Sequence, residues 1–169
     1  MDLRVTADRH GAAVDWGQGP RHAAIGLPGI AVKSGEGDGI TPIGAFPVRE
    51  IFYRADRIAR PDSKLPLRVL EKDDGWCDAP DDPNYNRLVK LPYPASAEQM
   101  WREDHLYDLV VVLGYNDDPV VPGRGSAIFL HLARPDYAPT EGCVALARPH
   151  LEALLAQARP GDALQIAAS

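Results

Sequence analysis

A chain of 169 residues, 45% hydrophobic and 25% charged, is long enough to bury about 70% of the surface it exposes when unfolded, so one soluble domain over 1–169 needs no metal or disulfide staple. Its formal net charge of −6, from 18 Lys+Arg against 24 Asp+Glu, argues against long-range attraction to nucleic acid or to an anionic membrane. Sixteen prolines and fifteen glycines scattered along the chain predict many turns, and therefore short strands rather than long helices.

Asp2, Arg4, Asp8, Arg9 and Asp15 interrupt what would be the apolar core of a signal peptide, and no run is apolar and long enough to span a bilayer. A cytoplasmic chain, a piece of an exported precursor and export by another route all fit this beginning. Residues 3–6 and 12–16 flank the turn Asp8-Arg9-His10-Gly11 and predict an opening hairpin. Strand-like segments follow at 21–27 and 30–33. The glycine-rich stretch 33–44 then reads as a loop. It lacks the Gly-Lys-Ser/Thr of a phosphate loop and leads through Thr41-Pro42 into a strand instead of a helix.

Segments 45–53 and 67–70 read as strands. The acid-rich stretch 73–86 lacks the spacing and closing Glu of a calcium loop, and its aromatic pair Trp76 and Tyr85 fits the wall of a groove better, with the core as the alternative for either. Residues 96–104 are expected to form a short helix, with Ser96 as N-cap and Met100 on its apolar side. Leu109–Leu113 and 127–132 are unbroken apolar runs of strand length, suited to a sheet buried on both faces. Pro149 opens an amphipathic helix with Leu151, Leu154, Leu155 and Ala158 at i, i+3, i+4 and i+7; Pro160-Gly161 ends it, and 163–167 returns as a closing strand. The expected architecture is mainly β, a β-sandwich or partly closed barrel of about ten strands with two short helices.

The chemistry concentrates in Thr140-Glu141-Gly142-Cys143, twelve positions after His131 at the end of a strand. A free thiol has pKa about 8.5 and is only slightly ionised at neutral pH, so an imidazole able to take its proton makes a strong nucleophile of it. Gly142 lets a substrate carbonyl approach backbone N–H groups that serve as an oxyanion hole. Against this, a lone Cys is often a small buried hydrophobe, and spacing alone does not decide between the two. One bridge between Cys77 and Cys143 also remains open.

The Ser/Thr-x-Gly-Cys turn after an upstream His on an apolar strand resembles the catalytic signature of the YkuD-type L,D-transpeptidases of bacterial cell walls. Further segments are similar to that family: Thr41-Pro42-Ile43-Gly44-Ala45-Phe46 after the glycine-rich loop, Trp76-Cys77-Asp78 with Tyr85-Asn86, and Tyr115-Asn116 ahead of the His strand. The resemblance spans about 25–155. It implies that Cys143 attacks the carbonyl of an L-centred residue followed by a D-residue, and that a thioester passes to an amine of a second peptidoglycan stem or to water. His131 is then base and acid, the Leu132 carbonyl orients its ring, and the Gly142 and Cys143 N–H groups hold the oxyanion. Thr140, Glu141, Tyr115, Asn116, Trp76, Tyr85, Asn86, Arg134 and Tyr137 become candidate substrate contacts. No metal or organic cofactor is implied, the partners are donor and acceptor stem peptides, and the place of action is the cell envelope.

Two departures stand out. Glu141 replaces the usual second His before Gly-Cys, and Ala145 replaces the Arg commonly found two places after the Cys. Both three-to-three and one-to-three cross-links remain open, and Arg124, Arg134, Arg148 and Lys33 are candidates for the missing positive charge. The rival functions are a hydrolase on the same scaffold and a catalytically silent wall-binding module. A zinc peptidase is disfavoured, because His10, His22, His105, His131 and His150 form no HExxH or comparable close pair.

Overall fold

A computed structural model describes residues 1–168. The opening hairpin is formed by β1 (Asp2–Asp8) and β2 (Gly11–Asp15), with β3 (Arg21–Ala24) beside it. A small ribbon, β4 (Ile30–Ala31) with β5 (Thr41–Pro42), brackets the glycine-rich loop. The long β6 (Gly44–Tyr53) carries the short β7 (Leu67–Val69) on its edge. A separate three-stranded sheet contains β8 (Asp74–Cys77), β9 (Leu88–Lys90) and β10 (Ala97–Gln99). Then follow β11 (Leu109–Leu113), β12 (Phe129–Leu132), β13 (Val144–Leu146), α1 (Arg148–Gln157) and β14 (Ala163–Ala168).

Eight strands run in the order β11-β12-β13-β3-β2-β1-β14-β6, and β6 pairs back onto β11 to close them into a barrel-like sheet. The period-2 alternation of side chains then builds two cores. Leu3, Val5, Val14, Leu164 and Ile166 face one cluster together with Leu109, Val111, Leu130, Val144 and Leu146. Leu151, Leu154, Leu155 and Ala158 of the helical segment join it, and all four are essentially fully buried. The intervening residues Phe52, Val110, Val112 and Phe129 face a second cluster, which Leu70, Trp76, Met100 and Tyr107 cover. Strands β11 and β12 are thus buried on both faces, as their unbroken apolar runs require.

The helix expected over 96–104 does not form. Residues 97–99 pair as strand β10 against β8, with Glu98 opposite Trp76, and Met100 N–H bonds the Asp74 carbonyl at 3.0 Å. Seating Met100 in the second core outweighs the local helix propensity of this stretch. Among the described residues α1 is the one α-helix. It starts after Ala147 without a side-chain cap, and Pro149 lies in its first turn. Cys77 and Cys143 are both free, so the bridge left open by the sequence is not made.

Candidate active site

Strands β12 and β13 are parallel neighbours, with Leu130 opposite Val144, His131 opposite Ala145 and Leu132 opposite Leu146. Because Leu130, Leu132, Val144 and Leu146 point into the first core, His131 and Ala145 share the other face, and Cys143, one residue ahead of β13, lies on that face too. The Cys143 sulfur accepts the Phe129 N–H at 3.3 Å, and its thiol donates to the Ala127 carbonyl at 3.2 Å. His131 Nδ1 lies 2.9 Å from the Leu132 carbonyl. A carbonyl only accepts, so Nδ1 carries the proton and Nε2 keeps the lone pair of a base.

The turn leading to Cys143 is held from both ends. Thr140 N–H bonds the Ile25 carbonyl at 2.9 Å, while Thr140 Oγ1 donates to the Cys143 carbonyl at 2.6 Å and accepts the Gly142 N–H at 3.2 Å. Thr140 therefore shapes the turn, and the Gly142 N–H already has a partner. Gly142 has φ +127°, and a Cβ there would stand 2.9 Å from the Ile40 carbonyl oxygen. Glycine at this position is required by the close approach of the glycine-rich loop. That loop is in turn tied down by Asp38, which accepts from the N–H groups of Ser34, Gly35 and Ile40 and pairs with Lys33.

Cys143 and His131 open onto a cavity of about 660 Å³. Of the sequence candidates, Thr140, Glu141 and Arg134 also line it, as do Ala145 and Lys33. Trp76 instead packs edge-on to Phe129 at 5.0 Å in the second core, and its indole N–H donates to Asn86 Oδ1 at 3.0 Å. Asn86 spends its remaining capacity on the Ala127 N–H and on the carbonyls of Tyr115 and Asn116, so it works as a latch beneath the site. Tyr85 is buried; it donates to Glu36 and accepts the Gly125 N–H at 2.9 Å. Tyr115 and Asn116 line a second cavity, of about 420 Å³, together with Arg124. Tyr137 packs on His22 with ring centroids 4.3 Å apart.

Glu98, Arg102 and Tyr107, none of them a site candidate from the sequence, are among the other residues that line the same cavity. Glu98 reaches it because residues 97–99 form strand β10 and not the expected helix. Arg54 and Arg57 grip the carbonyls of Arg102, Glu103 and Asp104 at 2.7–2.9 Å, and Leu132 N–H bonds the Leu106 carbonyl, which fixes the segment bearing Tyr107. The Tyr107 ring stands edge-on to His131 at 5.3 Å, and its hydroxyl donates to Glu98 at 2.5 Å.

Burial dominates the electrostatics. It pushes the Cys143 thiol up to about 12 against the helping Phe129 N–H, with the Glu98 and Glu141 charges adding to the rise. It pushes His131 down to about 4, partly offset by the Leu132 carbonyl. The resting pair is therefore a neutral thiol and a neutral imidazole.

The sequence profile of the YkuD family, described as the L,D-transpeptidase catalytic domain, matches residues 6–166. This chain belongs to that family. The match to this YkuD domain covers every strand of the barrel from β2 to β13 and the whole of the site. Among solved structures, the crystal structure of Mycobacterium tuberculosis L,D-transpeptidase 1 is similar at 14% identity with a TM-score of 0.42, covering 99% of this chain and 62% of that one. No curated protein matches. The fold of this YkuD domain is mainly β, as the turn-rich composition predicts. At the two departures from the family pattern, the Glu141 side chain is exposed at the cavity, and Ala145, fully buried beside His131, leaves the adjoining space free of a large side chain.

Proposed function

We propose that this domain is a peptidoglycan L,D-transpeptidase in which Cys143 is the nucleophile and His131 the general base and acid. The observation that carries this reading is the parallel register of β12 and β13, which puts both side chains on one face and at one cavity, with His131 Nε2 left as the basic nitrogen. Cys143 sulfur attacks the carbonyl carbon of an L-centred residue followed by a D-residue while the thiol proton passes to Nε2. Collapse of the tetrahedral intermediate breaks the C–N bond, and the imidazolium returns the proton to the departing amine of the D-residue. The resulting thioester is resolved by an amine of a second stem. The Cys143 N–H stands as oxyanion donor; the Gly142 N–H must be shared with Thr140 Oγ1 to join it. The implied place of action is the cell envelope. Among the described residues no helix is long and apolar enough to cross a membrane.

Lys33, Arg102 and Arg134, all at the cavity, are the candidate cations for the charge that Ala145 lacks. Digestion of peptidoglycan exposed to wild type and to Cys143→Ala, read by mass spectrometry, tests the assignment. Dimeric muropeptides with wild type alone support it, and the linked residues identify the donor bond. Trimmed monomers without dimers mean hydrolysis. Equal dimer yield from Cys143→Ala refutes the nucleophile.

A further inference from the structure

The charged groups at the catalytic cavity are unequally paired. Lys33 is bound by Asp38, and Arg102 is held by both oxygens of Asp104, at 2.8 and 2.6 Å, with Arg134 at 3.8 Å from the same carboxylate. Of the lining carboxylates, Glu36 is held by the Tyr85 hydroxyl, and Glu98, Asp78 and Glu141 have no ion-pair partner among the described residues. Glu98 Oε1 receives one hydrogen bond, from Tyr107, which leaves Oε2 for a ligand. Asp78 Oδ1 is buried without any hydrogen-bond partner. A partly desolvated carboxylate with its nearest guanidinium already engaged attracts a cation strongly. The groups facing Glu98 are Tyr107, Arg102, Asp78, Glu141 and Cys143. Burial and the two neighbouring carboxylates raise the affinity of Glu98 for a proton, while Tyr107 and Arg102 oppose this.

We propose that Glu98 receives the ammonium group of the acceptor stem and takes its proton, so that the free amine attacks the thioester on Cys143. This rests on the transpeptidase reading and names a residue that decides between an amine and water. The ammonium gives one proton to the Glu98 carboxylate and becomes a neutral amine. Its nitrogen attacks the thioester carbon, the C–N bond forms and the C–S bond breaks. The second nitrogen proton passes through His131 Nε2 to sulfur. Products are the amide, the Cys143 thiol and protonated Glu98, which releases its proton to solvent. An acceptor amine has pKa near 10.4 and is almost wholly ammonium at pH 7, so its capture and deprotonation are both needed.

The test uses the full chain, a synthetic donor stem tetrapeptide and an N-blocked tripeptide acceptor with a free side-chain amine. Thioester formation on Cys143 is followed by intact mass, and cross-linking by chromatography. Glu98→Gln keeps an acceptor for the Tyr107 hydroxyl. It is expected to raise the acceptor KM at least fivefold relative to any change in acylation rate, and to make transfer climb about tenfold per pH unit between 7 and 9, following the free amine. A smaller relative rise in KM, or a pH slope matching wild type, overturns the role of Glu98. Should wild type form no thioester at all, the transpeptidase reading itself fails. A measurement on wild type alone guards against a misfolded variant: butylammonium is expected to suppress cross-linking at a concentration at least fivefold below that of 1-butanol, and equal potency overturns the proposal.

Discussion

Gly142 and Ile40 meet backbone to backbone: a Cβ on Gly142 would lie 2.9 Å from the Ile40 carbonyl oxygen, and Gly142 holds φ +127°. The glycine-rich loop is thereby packed against the residue that precedes Cys143. Gly142→Ala combines backbone strain with overpacking and is expected to cost about 3 kcal/mol. Gly37→Ala, which meets only its own φ of +76° and open space, is expected to cost about 1 kcal/mol. Urea denaturation of the two variants checks the difference, and similar losses would show that the contact with Ile40 is unimportant.

The Asn86 side chain joins four groups, accepting from Trp76 and Ala127 and donating to the Tyr115 and Asn116 carbonyls. Asp at this position keeps the two acceptor bonds but cannot donate, leaving two carbonyls facing a carboxylate. Asn86→Asp is therefore expected to destabilise the fold by about 2–3 kcal/mol, and Asn86→Ala by more, since the Trp76 indole N–H is orphaned as well. Urea unfolding followed by tryptophan fluorescence reports this ordering.

Burial holds the Cys143 thiol at about 12, so the thiolate is a minute fraction at neutral pH. Alkylation by iodoacetamide requires the thiolate, and its rate is expected to rise about tenfold per pH unit from pH 6 to pH 9 without a plateau. A plateau beginning below pH 7 would indicate a resting thiolate–imidazolium pair.

His131 titrates near 4 in the fold against 6.5 in its unperturbed state. Between these values the unfolded chain binds the proton and the folded chain does not, so stability present above pH 6.5 is lost as pH falls through 4. The loss assignable to His131 between pH 7 and pH 4 is about 3 kcal/mol. The change in unfolding free energy between the two pH values, from urea denaturation, is expected to be larger in wild type than in His131→Asn by about that amount.

Much of this molecule is legible in its sequence wherever local pattern and tertiary context agree. Leu109–Leu113 and the apolar run ending at Leu132 are strands because they are buried on both faces, and Leu151, Leu154 and Leu155 mark the core side of α1. Residues 97–99 break from the pattern because pairing with β8 and the burial of Met100 are long-range effects that a local window cannot contain. Closure of the sheet through β6 and β11 is equally non-local. Of the site, the turn at Cys143 and the strand at His131 are readable from residue types. Glu98 and Tyr107 reach the cavity only through the three-stranded sheet and the arginine-held segment, neither of which leaves a motif.

The most direct test of the proposed chemistry is the intact mass of the protein after brief exposure to a stem tetrapeptide. The account predicts an adduct equal to the donor's acyl portion, with the terminal D-residue lost, located on Cys143, reversed by hydroxylamine and absent in Cys143→Ala. Cross-linked or trimmed product forming with no such adduct, or an adduct persisting in Cys143→Ala, would contradict it.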